Sequence, residues 1–282
     1  MKYKALKEQF SQSLEEIYHE QESSGLFYMA LQKVAGSTRM QFLEQQQQEV
    51  APQIMDTMLS LLEDLCEGKP IQYIFEEAWF YKLRFKVNAN VLIPRDETEE
   101  LVDLIIRTER GKGLQKGRLL DIGTGSGCIA IALKKNLPLF DVSALDVSDG
   151  ALAVAIENAK SNDVSVTFIL GDILTYSSPH QYDIIVSNPP YVKNDERSDM
   201  HQNVLDYEPH TALFVSDDDP LVFYRAIADF ALHNLVKGGR LYFEINEYLG
   251  REMVALMEAK NFSHIQLIHD LQQKSRMLSC VR

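Results

Sequence analysis

The chain has 282 residues, 45% hydrophobic and 24% charged, with 28 Lys and Arg against 41 Asp and Glu and a formal charge of −13. That length allows one large domain or two smaller ones, and the composition is ordinary for a soluble globular protein. So acidic a chain is a poor partner for a naked nucleic-acid backbone, and no run nears the roughly 18 apolar residues of a membrane span. The opening Met1-Lys2-Tyr3-Lys4 turns polar at once and leads into no apolar signal core. The expectation is a cytoplasmic protein that keeps its N-terminus and does not enter a membrane. Cys66, Cys128 and Cys280 are odd in number and far apart, and seven His are scattered without metal-ligand spacing. They read as reduced thiols and as no metal site.

The first 69 residues are rich in Gln, Glu, Leu and Met and acidic overall. Helices are expected over roughly 3–21, 24–35, 38–47 and 51–67. In the last of these, Met55, Met58, Leu59, Leu62 and Leu65 recur at helical spacing. Pro52 stands near its start, and Gly68 and Pro70 close it. From Ile71 to Val87, Ile71, Tyr73, Phe75, Trp79, Tyr81, Leu83, Phe85 and Val87 alternate with other residues. That period of two predicts a β-hairpin within 70–92, turning near Glu76-Glu77-Ala78 and joining two domains. From about 93 onward strands and helices alternate. Helices are expected at 96–110, 127–136, 149–162, 220–235 and 248–259. Strands are expected at 118–122, 141–146, 165–170, 182–187 and 239–245, with a final pair near 264–281. This pattern implies an α/β fold, an open and mostly parallel sheet with helices on both faces.

Three motifs stand at expected strand ends. Asp121-Ile122-Gly123-Thr124-Gly125-Ser126-Gly127 closes one strand and opens a helix. Glycines permit a tight turn and close ligand approach, and the helix N-terminus offers free N–H groups. The Gly-x-Gly-x-Gly spacing departs from the dinucleotide fingerprint. Asp146 ends the next strand, where a carboxylate can accept both hydroxyl protons of a ribose. Ser148 and Asp149 are better placed to cap the helix that follows. Asp172 ends the third, where it either accepts from the exocyclic amine of an adenine, with Ile173 packed on the ring, or serves as a turn aspartate. The third motif is Ser187-Asn188-Pro189-Pro190-Tyr191. Pro189 and Pro190 stiffen the turn and lack donors, so carbonyls there become acceptors. The Asn188 side-chain oxygen adds another acceptor, and Tyr191 offers a flat face. Together they suit a planar –NH2 group held by two acceptors and stacked on a ring.

Asn188-Pro189-Pro190-Tyr191 resembles the signature of S-adenosylmethionine-dependent amino methyltransferases, and the Asp121–Gly127 loop resembles their methionine-binding loop. The flanks narrow the choice. Val91-Leu92-Ile93-Pro94-Arg95-Asp96-Glu97-Thr98-Glu99-Glu100-Leu101, Gly68-Lys69-Pro70-Ile71-Gln72-Tyr73-Ile74 and Glu208-Pro209-His210-Thr211-Ala212-Leu213-Phe214 are similar to segments of the release factor glutamine methyltransferases. Two departures stand out: Asp96 replaces the family's usual Pro, and Val215-Ser216-Asp217-Asp218-Asp219-Pro220 replaces its Gly-Gly-x-Asp-Gly run.

The resemblance implies a Rossmann-like methyltransferase domain over 93–282, preceded by a hairpin connector (70–92) and a helical substrate-recognition domain (1–69). The implied reaction moves a methyl group from S-adenosyl-L-methionine to the side-chain amide nitrogen of the Gly-Gly-Gln glutamine in peptide chain release factors, an event of translation termination. Asn188, Pro189, Pro190 and Tyr191 are the catalytic candidates. Asp121, Gly123, Thr124, Gly125, Ser126, Gly127, Asp146, Asp172, Ile173 and Asn188 are the cofactor candidates. Arg95 and Glu97 join the Asn-Pro-Pro-Tyr residues as candidate substrate contacts. Asp96, Glu97 and Thr98 equally suit capping and charging a helix N-terminus, and Arg95 equally suits an ion pair with an acidic neighbour. The expected enzyme is a monomer without direct nucleic-acid contact. The competing reaction is N-methylation of a nucleic-acid base amine, which the same acceptors could hold flipped out.

Overall fold

The computed structural model describes residues 1–111, 113 and 116–282. The chain divides into two compact units, Met1–Phe75 with Gln202–Tyr207, and Glu76–His201 with Glu208–Arg282.

The first unit is helical: α1 (Tyr3–Leu14), α2 (Glu20–Ala35), α3 (Arg39–Gln45), α4 (Pro52–Cys66) and the single turn α5 (Ile71–Ile74). Its core gathers Leu6, Phe10, Phe27, Leu31, Phe42, Met58 and Leu65, all buried. Phe27 meets Phe10 and Phe42 edge-on at 5.3 and 5.4 Å between ring centroids, the geometry aromatic quadrupoles favour. Local signals end the helices. Gly36 closes α2 at φ 66°, Thr38 and Gln41 form a capping box on α3, and Pro52 opens α4, each at the position its backbone chemistry suits. The helix expected over 3–21 ends at Leu14, and the one expected at 24–35 starts earlier, at Glu20. The segment Gln202–Tyr207 completes this unit. Asn203 Nδ2 donates to the Tyr18 hydroxyl at 2.6 Å, and the Tyr207 hydroxyl donates to the Glu67 carbonyl at 3.0 Å.

The second unit opens with a hairpin of β1 (Glu77–Phe80) and β2 (Leu83–Lys86). Its turn is Tyr81-Lys82, both at positive φ, and not Glu76-Glu77-Ala78. The hairpin is no free-standing connector over 70–92: residues 70–75 are helical or pack with the helices, while Phe80 and Phe85 lie in the second unit's core. A buried Asn158 fastens it, exchanging both amide hydrogen bonds with the Lys86 backbone at 2.6 and 2.9 Å.

The alternation that follows is α6 (Asp96–Gly111), β3 (Gly117–Ile122), α7 (Cys128–Asn136), β4 (Phe140–Asp146), α8 (Asp149–Ser161), β5 (Thr167–Leu170) and β6 (Tyr182–Ser187). Then come the short pair β7 (Val192–Lys193) and β8 (Phe214–Val215), which sequence reading missed, with α9 (Gln202–Tyr207) and α10 (His210–Leu213) between them. The chain ends in α11 (Val222–Asn234), β9 (Leu235–Glu244), α12 (Gly250–Ala259), β10 (Ser263–His269) and β11 (Ser275–Val281). Among the described residues the main sheet has the order β10-β11-β9-β6-β3-β4-β5. It is parallel from β9 to β5 and antiparallel at β10 and β11. One face packs α6 and α7 through Leu101, Ile105, Ile129 and Leu133, and the other packs α11 and α12 through Tyr224, Ile227, Met253 and Met257. The fold is thus α/β with a mostly parallel sheet, as the alternation predicts.

Candidate functional site

One cleft opens at the carboxyl ends of the parallel strands, where ligands bind in open α/β sheets. It is lined by the Ile122–Ser126 loop, Asp146, Asp172 and Ile173, Ser187–Pro190, and parts of 90–98 and 209–212.

After β3 the chain turns through Gly123, Gly125 and Gly127, at φ 73°, 54° and 80°. A side chain costs about 1–2 kcal/mol at each such left-handed position. At Gly127 a Cβ would also stand 3.0 Å from Ile131 and 3.1 Å from Ala155. At Gly125 it would meet nothing within 4 Å, so that stretch of backbone is open to a ligand. Asn158 Nδ2 donates to the Ser126 carbonyl at 2.9 Å, fixing the far end of the loop.

Asp121 is fully buried beneath this loop. Its Oδ2 accepts the Thr124 hydroxyl at 2.6 Å, while Oδ1 has no hydrogen-bond partner among the described residues. Burial pushes its pKa up to about 7, with the Thr124 hydroxyl and the Ala130 amide opposing. Unlike Asp146 and Asp172, Asp121 is not itself among the lining residues; it lies under the open glycine turn, where a buried carboxylate favours a cationic amine above it. Asp146 accepts the Gly125 N–H on one oxygen at 2.8 Å and the Ser148 N–H on the other at 2.9 Å. Each oxygen keeps a lone pair for a further donor such as a ribose hydroxyl. Burial raises its pKa against those amide donors. Asp172 makes a local turn, its Oδ1 accepting from Leu174 N at 2.9 Å, and it also lines the cleft beside Ile173. The two readings of Asp172 are therefore compatible. This donor set fits S-adenosylmethionine: a carboxylate for its ammonium, another for its ribose, and an apolar edge for its base.

The second loop leaves β6. Ser187 donates its hydroxyl proton to the Ile122 carbonyl at 2.6 Å, tying the two strand ends together. Asn188, Pro189 and Pro190 face the cleft. The Asn188 Nδ2 donates to Thr98 Oγ1 at 3.3 Å, and the Thr98 hydroxyl donates to Glu244 Oε2 at 2.6 Å. Tyr191 differs from expectation: it is not among the lining residues. Its hydroxyl donates to Glu244 Oε1 at 3.1 Å, and burial raises its pKa, with the Glu244 charge adding to the effect. Its carbonyl accepts from Asn246 Nδ2 at 3.2 Å. Glu97 is also absent from the lining. It adds to the acidic first turn of α6, while Thr98, one residue on, faces the cleft.

Arg95 lines the cleft and pairs with the buried Glu208, Nη2 to Oε1 at 2.5 Å. The other Glu208 oxygen accepts the Ile93 N–H at 3.0 Å. This one carboxylate joins the segments 91–101 and 208–214. The altered loop Val215–Pro220 is likewise tied down: Asp217 accepts from Asn194 N at 2.5 Å, and Asp219 makes a bidentate pair with Arg225. His210 is exposed, edge-on to Phe214 at 5.3 Å. Sequence reasoning gave Thr98 only a helix-capping role and left Glu208 and Glu244 without one. For Glu244 the signal is present, a carboxylate at the end of a parallel strand.

The profile described as "PrmC N-terminal domain" matches residues 5–75, and that described as "Methyltransferase small domain" matches 98–210. The release factor glutamine methyltransferase of Flavobacterium psychrophilum is 48% identical, covering 99% of this chain and 98% of its own. That of Streptococcus pneumoniae is 41% identical over 89% and 88%. Among solved structures, a methyltransferase from Pyrococcus furiosus superposes with a TM-score of 0.52 at 16% identity, covering 79% of this chain and 98% of its own. The ribosomal protein L11 methylase of Lactobacillus delbrueckii gives 0.50 at 20% identity, over 68% and 81%. At such identities these structures speak for the fold alone.

Proposed function

The chain belongs to the release factor glutamine methyltransferase family, and from that premise we propose that it methylates the side-chain amide nitrogen of the Gly-Gly-Gln glutamine in peptide chain release factors. The observation that carries this reading is the Asn188-Pro189-Pro190 turn opening onto the same cleft as Asp146 and the Ile122–Ser126 glycine loop, beneath which the Asp121 carboxylate is buried. One places acceptors for an –NH2 group, the other a seat for a cationic cofactor.

When bound, S-adenosylmethionine supplies an electrophilic methyl group. The protein supplies the rest. Asp121 holds the ammonium, Asp146 the ribose hydroxyls, and Ile173 with Asp172 the base. Asn188 Oδ1 and the Pro189 carbonyl accept the two N–H bonds of the substrate amide. That nitrogen is a weak nucleophile, because its lone pair is delocalised into the carbonyl. Two fixed acceptors favour the positive charge that grows on it, worth about 3–4 kcal/mol per well-placed partner. Holding the nitrogen in one place contributes the proximity effect. The surplus proton leaves to water afterwards, so no basic side chain is needed beside the loop. Arg95 acts through its pair with Glu208, shaping the wall between the two family segments, and the assigned substrate contacts are Asn188 and Pro189.

The helical unit is proposed to grip the protein substrate, since one glutamine must be selected on a large folded partner. We place the enzyme in the cytoplasm as a monomer without direct nucleic-acid contact. No helix among the described residues is long and apolar enough to cross a membrane.

The test is transfer of isotopically labelled methyl from S-adenosylmethionine to a purified release factor, mapped by peptide mass spectrometry. A single methyl on the Gly-Gly-Gln glutamine is expected. Label on RNA or DNA and none on the factor would overturn the reading in favour of a base amine. Phe27→Asp, which puts a charge into the helical core, should raise the KM for the release factor well beyond any change in cofactor affinity. Equal KM values would remove the helical unit from substrate recognition.

A further inference from the structure

An asparagine amide accepts on one side and donates on the other, so the direction Asn188 faces decides whether it can take a proton from a substrate –NH2 group. The sequence leaves that direction open. The hydrogen bonds behind the loop fix it. In the register of β6 with β9, Ser187 lies opposite Phe243, so Asn188 and Glu244 leave the sheet level with one another. Glu244 is 1% exposed. A carboxylate offers only acceptors. One of its oxygens takes the Thr98 hydroxyl proton at 2.6 Å and the other takes the Tyr191 hydroxyl proton at 3.1 Å.

The Thr98 hydroxyl has a single proton, and it is committed to Glu244. What Thr98 presents to Asn188 is a lone pair. Asn188 must then turn its NH2 side to Thr98, as it does at 3.3 Å, and its oxygen to the opposite side. We infer that Thr98 and Glu244 are positioning residues that set the polarity of the Asn188 amide, so that its oxygen and not its nitrogen receives the substrate. The same carboxylate anchors Tyr191, so one buried group fixes both ends of the Asn-Pro-Pro-Tyr turn. Reversing the Thr98 hydroxyl would let Asn188 flip and present two protons to a substrate nitrogen that also carries protons, which repels it. The inference rests on the proposed transfer to an amide nitrogen.

Thr98→Val keeps the size of the side chain and removes the relay, whereas Thr98→Ser keeps the hydroxyl. Thr98→Val is expected to lower kcat on the release factor by about tenfold to a hundredfold, the scale of a misplaced reacting group. Cofactor affinity, measured by calorimetry, should change far less. Thr98→Ser should keep most of the turnover. In an Asn188→Ala background Thr98→Val should cost nothing more, because its effect runs through Asn188. An equal loss in that background, or an unchanged kcat in the single variant, would overturn the inference. A second measurement needs no substrate. The side-chain NH2 resonances of Asn188, identified by their absence in Asn188→Asp, should exchange slowly with solvent in the unaltered protein and in Thr98→Ser, and fast in Thr98→Val. Fast exchange in the unaltered protein would also overturn the inference. Failure of the unaltered enzyme to label a release factor would instead strike the proposed function.

Discussion

Two loops leave neighbouring strands of the same sheet and face one cleft, yet they are held in different ways. The loop after β3 is shaped by its own backbone. Three glycines take left-handed angles, and its hydrogen bonds run to near neighbours in space such as Asp146 and Asn158. The loop after β6 contains no glycine and is shaped by partners far away along the chain, Thr98, Glu244 and Asn246. A ligand-cradling loop must bring backbone close to its ligand, which favours residues without side chains. A loop that orients a reacting nitrogen must present one particular side-chain oxygen, which calls for supports behind it.

The largest effect that sharpens this contrast is on Asn188. Asn188→Ala should lower turnover by about a hundredfold to a thousandfold, the range for losing one oriented transition-state partner. Cofactor affinity should fall much less. A parallel collapse of both would mean that the loops work as one binding surface. Next comes Gly127→Ala, which meets Ile131 and Ala155 and takes an unfavourable φ. A cost of about 1–3 kcal/mol in overpacking should appear as lost cofactor affinity and a lower Tm. Retention of both would show that this loop tolerates a side chain.

The third test uses pH. The Asp121 pKa is raised to about 7, so the protonated form dominates below that value. Only the ionised form pairs with an ammonium. Cofactor affinity should therefore rise as pH goes from 6 to 8, with Kd about tenfold weaker at pH 6 than the plateau, following one proton per unit of pH. Asp121→Asn should bind weakly and lose this dependence. A flat profile in the unaltered protein would detach Asp121 from the ammonium. The smallest effect on the loop is expected for Asn246→Ala, which removes its hydrogen bond to the Tyr191 carbonyl together with those to Glu196 and Tyr248 N, the latter two outside the loop. About 1 kcal/mol of loop order is at stake, seen as a few-fold change in kcat with cofactor Kd unmoved.

The same contrast explains what was legible in the sequence. The glycine loop, Asp146 and the Asn-Pro-Pro-Tyr turn are contiguous or stand at strand ends, and the β-α alternation placed them together. The Thr98–Glu244 link spans 146 residues, and no local pattern announces it. Tyr191 was misread for a related reason: an aromatic ring suggests stacking, but here its hydroxyl found a buried carboxylate. The hairpin turn was missed because Tyr81 and Lys82 reach φ 47° and 63° without glycine or asparagine. The period of two also ran on through Ile71 and Tyr73, which are helical. The break after Leu14 carries neither Gly nor Pro, so helical periodicity overran it.

The helical unit is assembled from two stretches of chain separated by more than a hundred residues of sheet domain. Its last pieces, Asn203 on the Tyr18 hydroxyl and Tyr207 on the Glu67 carbonyl, are made late during synthesis. On the ribosome the first four helices can collapse early, but their surface stays incomplete until residue 207 has emerged. A fragment cut at Phe75 lacks that closing segment. The protein's N-terminal part is in this sense finished by its C-terminal half, and folding order is written into where the chain returns.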